Sequence, residues 1–261
     1  MSKIGLIYCA FNTEGYLPDS LFPWLQARRG HLGGHEFLIA VVSVPFEGFQ
    51  NDGIDGTQSA LRVYERDKDI DWLLAGQTPM KEIEARGAAL KWLTSQGVDI
   101  LWQADSDEFP TTDEIATTLK FVESRPHTVW FKGSLKNYVW NDKTYLLDPF
   151  TPARIHRLAA PGGYLANGFW ADNNVIYKRP FSEEEATDTS FSHLTIPKSV
   201  QWIKHLTWMN TDRSRRKIEY QTLARQWPSC SFAWDDSKGG LIWNESHFAR
   251  TGESIPELGH D

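Results

Sequence analysis

The sequence predicts an α/β protein built on an open mixed sheet with helices on both faces. Three observations predict it. Residues 3–10, 36–44 and 98–104 are short, nearly continuous apolar runs, the pattern of strands buried on both faces. Between them lie stretches with apolar residues at helical spacing. The third run stops abruptly at Asp105-Ser106-Asp107-Glu108, where a buried strand would deliver acids to the edge of a sheet. In open α/β sheets ligands bind outside the carboxyl ends of the strands.

The elements follow in order. Ile4, Leu6, Ile7, Tyr8 and Cys9 make the first strand, and Phe11-Asn12-Thr13-Glu14-Gly15 a polar turn. Pro18 suits a helix start, and Leu17, Leu21, Trp24 and Leu25 share one face of that helix. Gly30 ends it, and Gly33-Gly34 leads to the second strand, 36–44. Strand, helix, strand is a βαβ unit. Residues 45–60 read as a long loop with Glu47, Asp52 and Asp55 as its acids. Thr78-Pro79 opens a helix that runs through Arg86 to Gly97, with Thr78 as N-cap. The acid-bearing strand follows. Thr111 and Glu114 have capping-box spacing, so a helix extends to about Glu123.

Beyond Thr128 the predicted strands are shorter and more aromatic: one or two within 129–140, then 144–147, 154–158 and 174–178. Residues 181–199 read as a mobile acidic loop. A last helix spans 211–227, and the tail after Arg250 reads as loose. Arg213, Arg215, Arg216 and Lys217 form the densest basic cluster, read first as a solvated helix face.

The 261 residues allow one large domain or two small ones, and the formal charge of −7 argues against a broad nucleic-acid surface. The two cysteines exclude a disulfide framework, no stretch is long and apolar enough to span a bilayer, and Met1-Ser2-Lys3 does not open a signal peptide. A cytoplasmic location is expected. Some of the 12 tryptophans should be core, others platforms for sugars or bases.

Three carboxylates within four residues repel one another and call for a cation among them. Mg²⁺ or Mn²⁺, with oxygen ligands, is the natural candidate. The alternative is that Asp107 and Glu108 begin a turn and cap the next helix.

Taken together, Ala10-Phe11-Asn12-Thr13-Glu14-Gly15-Tyr16, Glu84-Ala85-Arg86-Gly87-Ala88-Ala89-Leu90 and Asp105-Ser106-Asp107-Glu108 resemble, in order and spacing, the family-2-like glycosyltransferases of the GT-A fold. The resemblance covers residues 3–110. It implies a GT-A-like, Rossmann-type single domain over 1–261, with a nucleotide-sugar half at 1–110 and an acceptor half at 111–261. It implies a metal-dependent hexosyltransferase acting on an acceptor hydroxyl. Asp105 and Asp107 match the DxD motif, giving metal ligands Asp105 and Asp107, with His205 as a late histidine ligand and His193 as its alternative. Glu108 would support them. Phe11, Asn12, Glu14, Arg86, Asp105 and Ser106 would line the donor, a UDP-sugar being the expected class. Asp172 is the first choice as general base, with Glu184 and Asp188 as alternatives. The acceptor would be a glycan, a lipid-linked sugar or, as a minority option, a modified base in nucleic acid contacted by the Arg213–Lys217 cluster. One departure stands out: where the family has adjacent aspartates after the second strand, this chain has Val44-Pro45-Phe46-Glu47. The competing readings are a nucleotidyltransferase on a related sheet and a non-catalytic sugar-binding module.

Overall fold

A computed structural model describes residues 2–30, 32–48, 55–147, 151–160, 164–169, 175–177, 193–209, 211–219 and 231–261. The chain runs β1 (Lys3–Cys9), α1 (Leu17–Arg29), β2 (Glu36–Ser43), α2 (Thr57–Arg66), β3 (Trp72–Ala75), α3 (Glu82–Ser95), β4 (Ile100–Asp105), β5 (Glu108–Phe109) and α4 (Thr112–Glu123). It continues through β6 (Trp130–Lys132), β7 (Leu135–Trp140), β8 (Thr144–Leu146), β9 (Ala153–Arg157), β10 (Ala159–Ala160), β11 (Tyr164–Phe169), β12 (Val175–Tyr177), β13 (His193–Thr195) and β14 (Ile203–Met209). The last described elements are α5 (Asp212–Glu219), β15 (Phe232–Asp235), β16 (Gly240–Trp243), α6 (Glu245–Thr251) and β17 (Leu258–His260).

The main sheet has seven strands in the order β13-β6-β9-β4-β1-β2-β3. Strands β4, β1, β2 and β3 are parallel, and β9 runs antiparallel to both β4 and β6. It is therefore the mixed α/β sheet the apolar runs predict. Alternate residues of one strand feed two cores. Ile4, Leu6 and Tyr8 pack with Leu17, Leu21 and Trp24 of α1 and Ile115 and Leu119 of α4. Ile7 and Cys9 pack with Ala85, Ala89, Leu90 and Leu93 of α3 on the other face. Gly5 lets α3 approach, since a Cβ there would lie 3.0 Å from a Leu93 methyl.

The chain winds outward from β1 to β2 and β3, then returns to place β4 on the other side of β1. This reversal is a topological switch point, and it opens a crevice between the carboxyl ends of β1 and β4. A second sheet, ordered β17-β8-β7-β14-β5, begins where the first ends. The turn Asp105-Ser106-Asp107 joins β4 to β5, so the acids lie at the seam between the two sheets. Tryptophans 140, 208, 234 and 243, each partly buried, pack around Val139, Phe232 and Leu241, and Trp24 and Trp102 are fully buried in the main core.

Several expectations need correction. The helix expected from Thr78 starts at Glu82, because Met80 is drawn into a parallel bridge with Phe46 through Met80 N–H to Pro45 O (3.0 Å) and Glu47 N–H to Met80 O (2.9 Å). The long loop after β2 ends at Gly56, where α2 begins, and β3 follows as a strand of only four residues. Within the segment read as a mobile loop, residues 193–195 form β13 beside β6, and Ile196 is buried. The tail is not loose: β17 pairs with β8, and Asp261 accepts hydrogen bonds from Lys136 and Tyr138. Thr111 and Glu114 form the capping box that their spacing predicts.

Candidate functional site

Asp105 closes β4 opposite Cys9 of β1, at the switch point. Two arginines take its oxygens. Arg86 Nη2 lies 2.7 Å from Oδ1, and Arg154 Nη2 lies 3.0 Å from Oδ2. Arg86 comes from α3 and is also hydrogen-bonded to Glu82 at 3.1 Å; Arg154 comes from β9 and also donates to Glu108. Burial acts to raise the Asp105 carboxyl, but Arg86 and Arg154 outweigh it and hold it well below the usual carboxylate range. Glu108 is buried more completely. Burial pushes it up to about 8 even with Arg154 beside it, because Asp105 and Asp107 add their repulsion.

Asp107 is buried, at 4% exposure, and faces two cationic or metal-binding groups. His205 Nε2 lies 3.7 Å from Oδ1, and Arg213 Nη2 lies 3.3 Å from Oδ2. The strand register brings the histidine there: β14 sets His205 opposite Glu108 of β5 and opposite Asn137 of β7. Asn137 Oδ1 sits 2.5 Å from His205 Nδ1, which assigns the proton to Nδ1 and turns the Nε2 lone pair to Asp107. Burial lowers the imidazole to about 4 despite the nearby Asp107, so it is neutral at ordinary pH. Lys217 of α5 adds a further cation toward Asp107; burial lowers its pKa, and Asp107 opposes the shift.

Outside these acids opens a cleft of about 280 Å³ lined by the turn Phe11–Tyr16, Asp55, Arg213 and Arg216. Two loops clasp to form it. Glu14 N–H donates to Asp55 (2.8 Å), Gly56 N–H to Glu14 (2.9 Å) and Thr13 N–H to Thr57 Oγ1 (2.8 Å). Arg213 lies over the Tyr16 ring, 5.5 Å from its centre. Cys9 at the end of β1 is no nucleophile, because burial pushes its thiol up to about 12.

Two protein ligands of one ion at about 2.1 Å stand about 3.0 Å apart at a right angle and about 4.2 Å apart in line. The 3.7 Å between Asp107 Oδ1 and His205 Nε2 falls in that span. A carboxylate oxygen and a neutral imidazole fit Mn²⁺ or Mg²⁺ when diphosphate oxygens and water complete the sphere. Among the described residues no group of three or more His, Cys, Asp and Glu side chains is gathered for a metal.

The structure thus brings Asp107 and His205 together but engages Asp105 with arginines. Phe11, Asn12 and Glu14 line the cleft. Ser106 is buried, its N–H bonded to Cys9 O. Arg86 pairs with Glu82 as well as with Asp105, but it is buried behind Asp105 and does not line the cleft. His193 belongs to the edge strand of the other sheet. Asp172, Glu184 and Asp188 lie outside the described residues. The reading of Arg213–Lys217 as a solvated face holds for Arg215, which pairs with Glu219. It fails for Arg213, which pairs with Asp107, and for Lys217, whose ammonium lies over the Trp208 ring. Arg154 and Asn137 are the site residues that sequence reasoning missed; Arg213 was noted only as one of the basic cluster. Arg154 left one signal, a charge at the start of the strand predicted over 154–158.

No protein-family model matches the chain, and no curated protein sequence does. Solved structures similar to it include S. aureus TarS, at 13% identity over 85% of this chain and 38% of that one, with a TM-score of 0.45. TarS 1-349 in complex with UDP-GlcNAc matches at 13% identity over 81% of this chain and 60% of that one, TM-score 0.47. The mannosyltransferase PcManGT from Pyrobaculum calidifontis, in complex with GDP-Man and Mn²⁺, matches at 14% identity over 85% and 64%, TM-score 0.48. The chain spans less than two thirds of the length of each of these three, and each likeness is one of outline.

Proposed function

We propose that the protein is a metal-dependent glycosyltransferase that moves a hexose from a nucleoside-diphosphate sugar to an acceptor hydroxyl. One observation carries the reading: Asp107 and His205 Nε2 converge 3.7 Å apart at the β1/β4 switch point, beside a cleft with aromatic and arginine walls. In this reading the nucleoside lies against Phe11–Tyr16, and a UDP-sugar is the first donor to test. Asp107 and His205 hold Mn²⁺ or Mg²⁺. The metal, when bound, stabilises the negative charge that grows on the diphosphate as the glycosidic bond breaks.

The other residues serve this pair. Asn137 fixes the imidazole tautomer, which is the usual role of an outer partner of a metal-binding histidine. Arg86 and Arg154 keep Asp105 ionised and fixed in direction, so it can accept hydrogen bonds from a ribose. A carboxylate of the second half, Asp172 first, then Glu184 or Asp188, takes the acceptor proton if the reaction inverts configuration. The acceptor is a glycan or a lipid-linked sugar. The nucleic-acid option loses one of its four cations, because Arg213 pairs with Asp107.

The test is a panel of nucleotide sugars with Mn²⁺, Mg²⁺ or EDTA, read as release of nucleoside diphosphate. Metal-dependent release from one donor is expected. No release and no nucleotide binding would overturn the reading. A second reading, a nucleotidyltransferase, gains from Arg213 and Arg216 in the cleft, which supply the basic residues that the Phe11–Tyr16 turn lacks. Pyrophosphate release from a nucleoside triphosphate, without donor cleavage, would select it.

A further inference from the structure

We propose that Arg213 is a lock on the metal site: it holds Asp107 while no donor is bound and transfers to the diphosphate when metal and donor enter together. The inference rests on the donor reading above and adds the order of binding and a role for α5.

Three observations carry it. First, Arg213 spans both halves of the site. Its Nη2 is 3.3 Å from Asp107 Oδ2, while its side chain lines the cleft over Tyr16. At 28% side-chain exposure it is within reach of a solute in that cleft. Second, Arg213 and His205 face the two oxygens of the same carboxylate, so the guanidinium and a metal ion beside His205 would share one negative charge. Third, every carboxylate of the cluster already has a guanidinium partner: Arg86 holds Glu82 and Asp105, Arg154 holds Asp105 and Glu108, and Arg213 holds Asp107.

A divalent ion entering alone would add two positive charges beside the Arg213 guanidinium on a largely buried carboxylate, which is costly at low local dielectric. A nucleoside diphosphate entering with the ion brings compensating negative charge and a planar pair of acceptors that suits the guanidinium fork. The metal therefore binds as a complex with the nucleotide, and α5 reads the presence of the diphosphate. Lysine cannot replace Arg213 fully, since it keeps the charge but loses the fork.

The test measures Mn²⁺ binding to the full chain from the electron paramagnetic resonance of free Mn²⁺. It is done with and without the nucleoside diphosphate released in the donor assay, for the wild type, R213M, R213K and R215M. The wild type should bind Mn²⁺ at least about tenfold more tightly with the diphosphate than without it. R213M should bind Mn²⁺ alone about tenfold more tightly than the wild type while its donor KM rises about tenfold. R213K should fall between. R215M, whose residue pairs with Glu219 on the exposed side of α5, should match the wild type. Metal-dependent donor cleavage together with unchanged Mn²⁺ affinity in R213M would overturn the lock and leave the donor reading standing. Absence of nucleotide binding by the wild type would overturn both.

Discussion

Replacing Arg154 by methionine tests whether the acids at the strand end are held by protein cations. Arg154 is 7% exposed and bridges Asp105, at 3.0 Å, to Glu108. Methionine keeps much of the side-chain length but removes the charge, leaving Glu108 with no cation in contact and Asp105 with Arg86 alone. Breaking a buried pair from one side costs about 3–5 kcal/mol, because the stranded charge has already left water. Glu108 can avoid part of that by taking up a proton, so the cost depends on pH. Its carboxyl stands at about 8 in the folded protein against an ordinary 4.5. The folded state therefore binds more protons than the unfolded one across that window, and stability from this group is present at low pH and lost as pH rises. Without Arg154 the folded pKa rises further, so the window extends upward.

Urea unfolding at pH 6 and pH 9 reads both effects. R154M should lose about 3 kcal/mol or more at pH 9 and clearly less at pH 6. The double variant R154M/E108Q, which has no carboxylate to strand, should recover about 2 kcal/mol of the loss at pH 9, a coupling of the size expected for residues in contact. A loss below about 1 kcal/mol, or one that is the same at both pH values, would refute the assignment of Arg154 as the counter-ion of this acid layer.

Other consequences are equally direct. D107N should lower metal-dependent donor cleavage at least about 100-fold; retained activity would remove Asp107 from the metal site. N137L takes away the acceptor at His205 Nδ1, and the Mn²⁺ activation midpoint should rise about 10- to 100-fold. In G56A the new methyl would sit 2.2 Å from the Glu14 carboxylate. Glu14 is exposed and can swing aside, so stability should hold, but the clasp of the cleft opens and donor KM should rise several-fold. His156 is held at about 3, by burial first and then by Arg154. Unfolded histidine takes up its proton near 6.5 while the folded one does not, so stability falls as pH drops below 6.5. That single group accounts for about 2 kcal/mol between pH 6.5 and 4.5, and H156N should flatten the acid limb of the unfolding curve.

The parts of this fold that were legible from sequence are those whose cause is local. β1, β2 and β4 announce themselves as apolar runs, and Thr111 with Glu114 marks the start of α4 within four residues. The start of α3 was misread because Thr78-Pro79 is a sound local signal that a distant contact overrides: Met80 is claimed by Phe46 on the edge of the sheet. Strand β3 gave no local signal, since four residues are too few to show a period. The site divides in the same way. The repulsion among Asp105, Asp107 and Glu108 was readable, and it correctly demanded a cation. Its identity was not readable, because Arg154 arrives 49 residues later on an antiparallel strand and Arg213 on a helix after the second sheet. The sheet order decides which partner each acid meets. β9 lies beside β4, so its arginine meets Asp105; β14 lies beside β5, so its histidine meets Asp107. Two aspartates one residue apart are thus sent to opposite sides of the seam between the sheets. The first becomes an ionised hydrogen-bond acceptor fixed by arginines, and the second becomes the partner of a neutral imidazole.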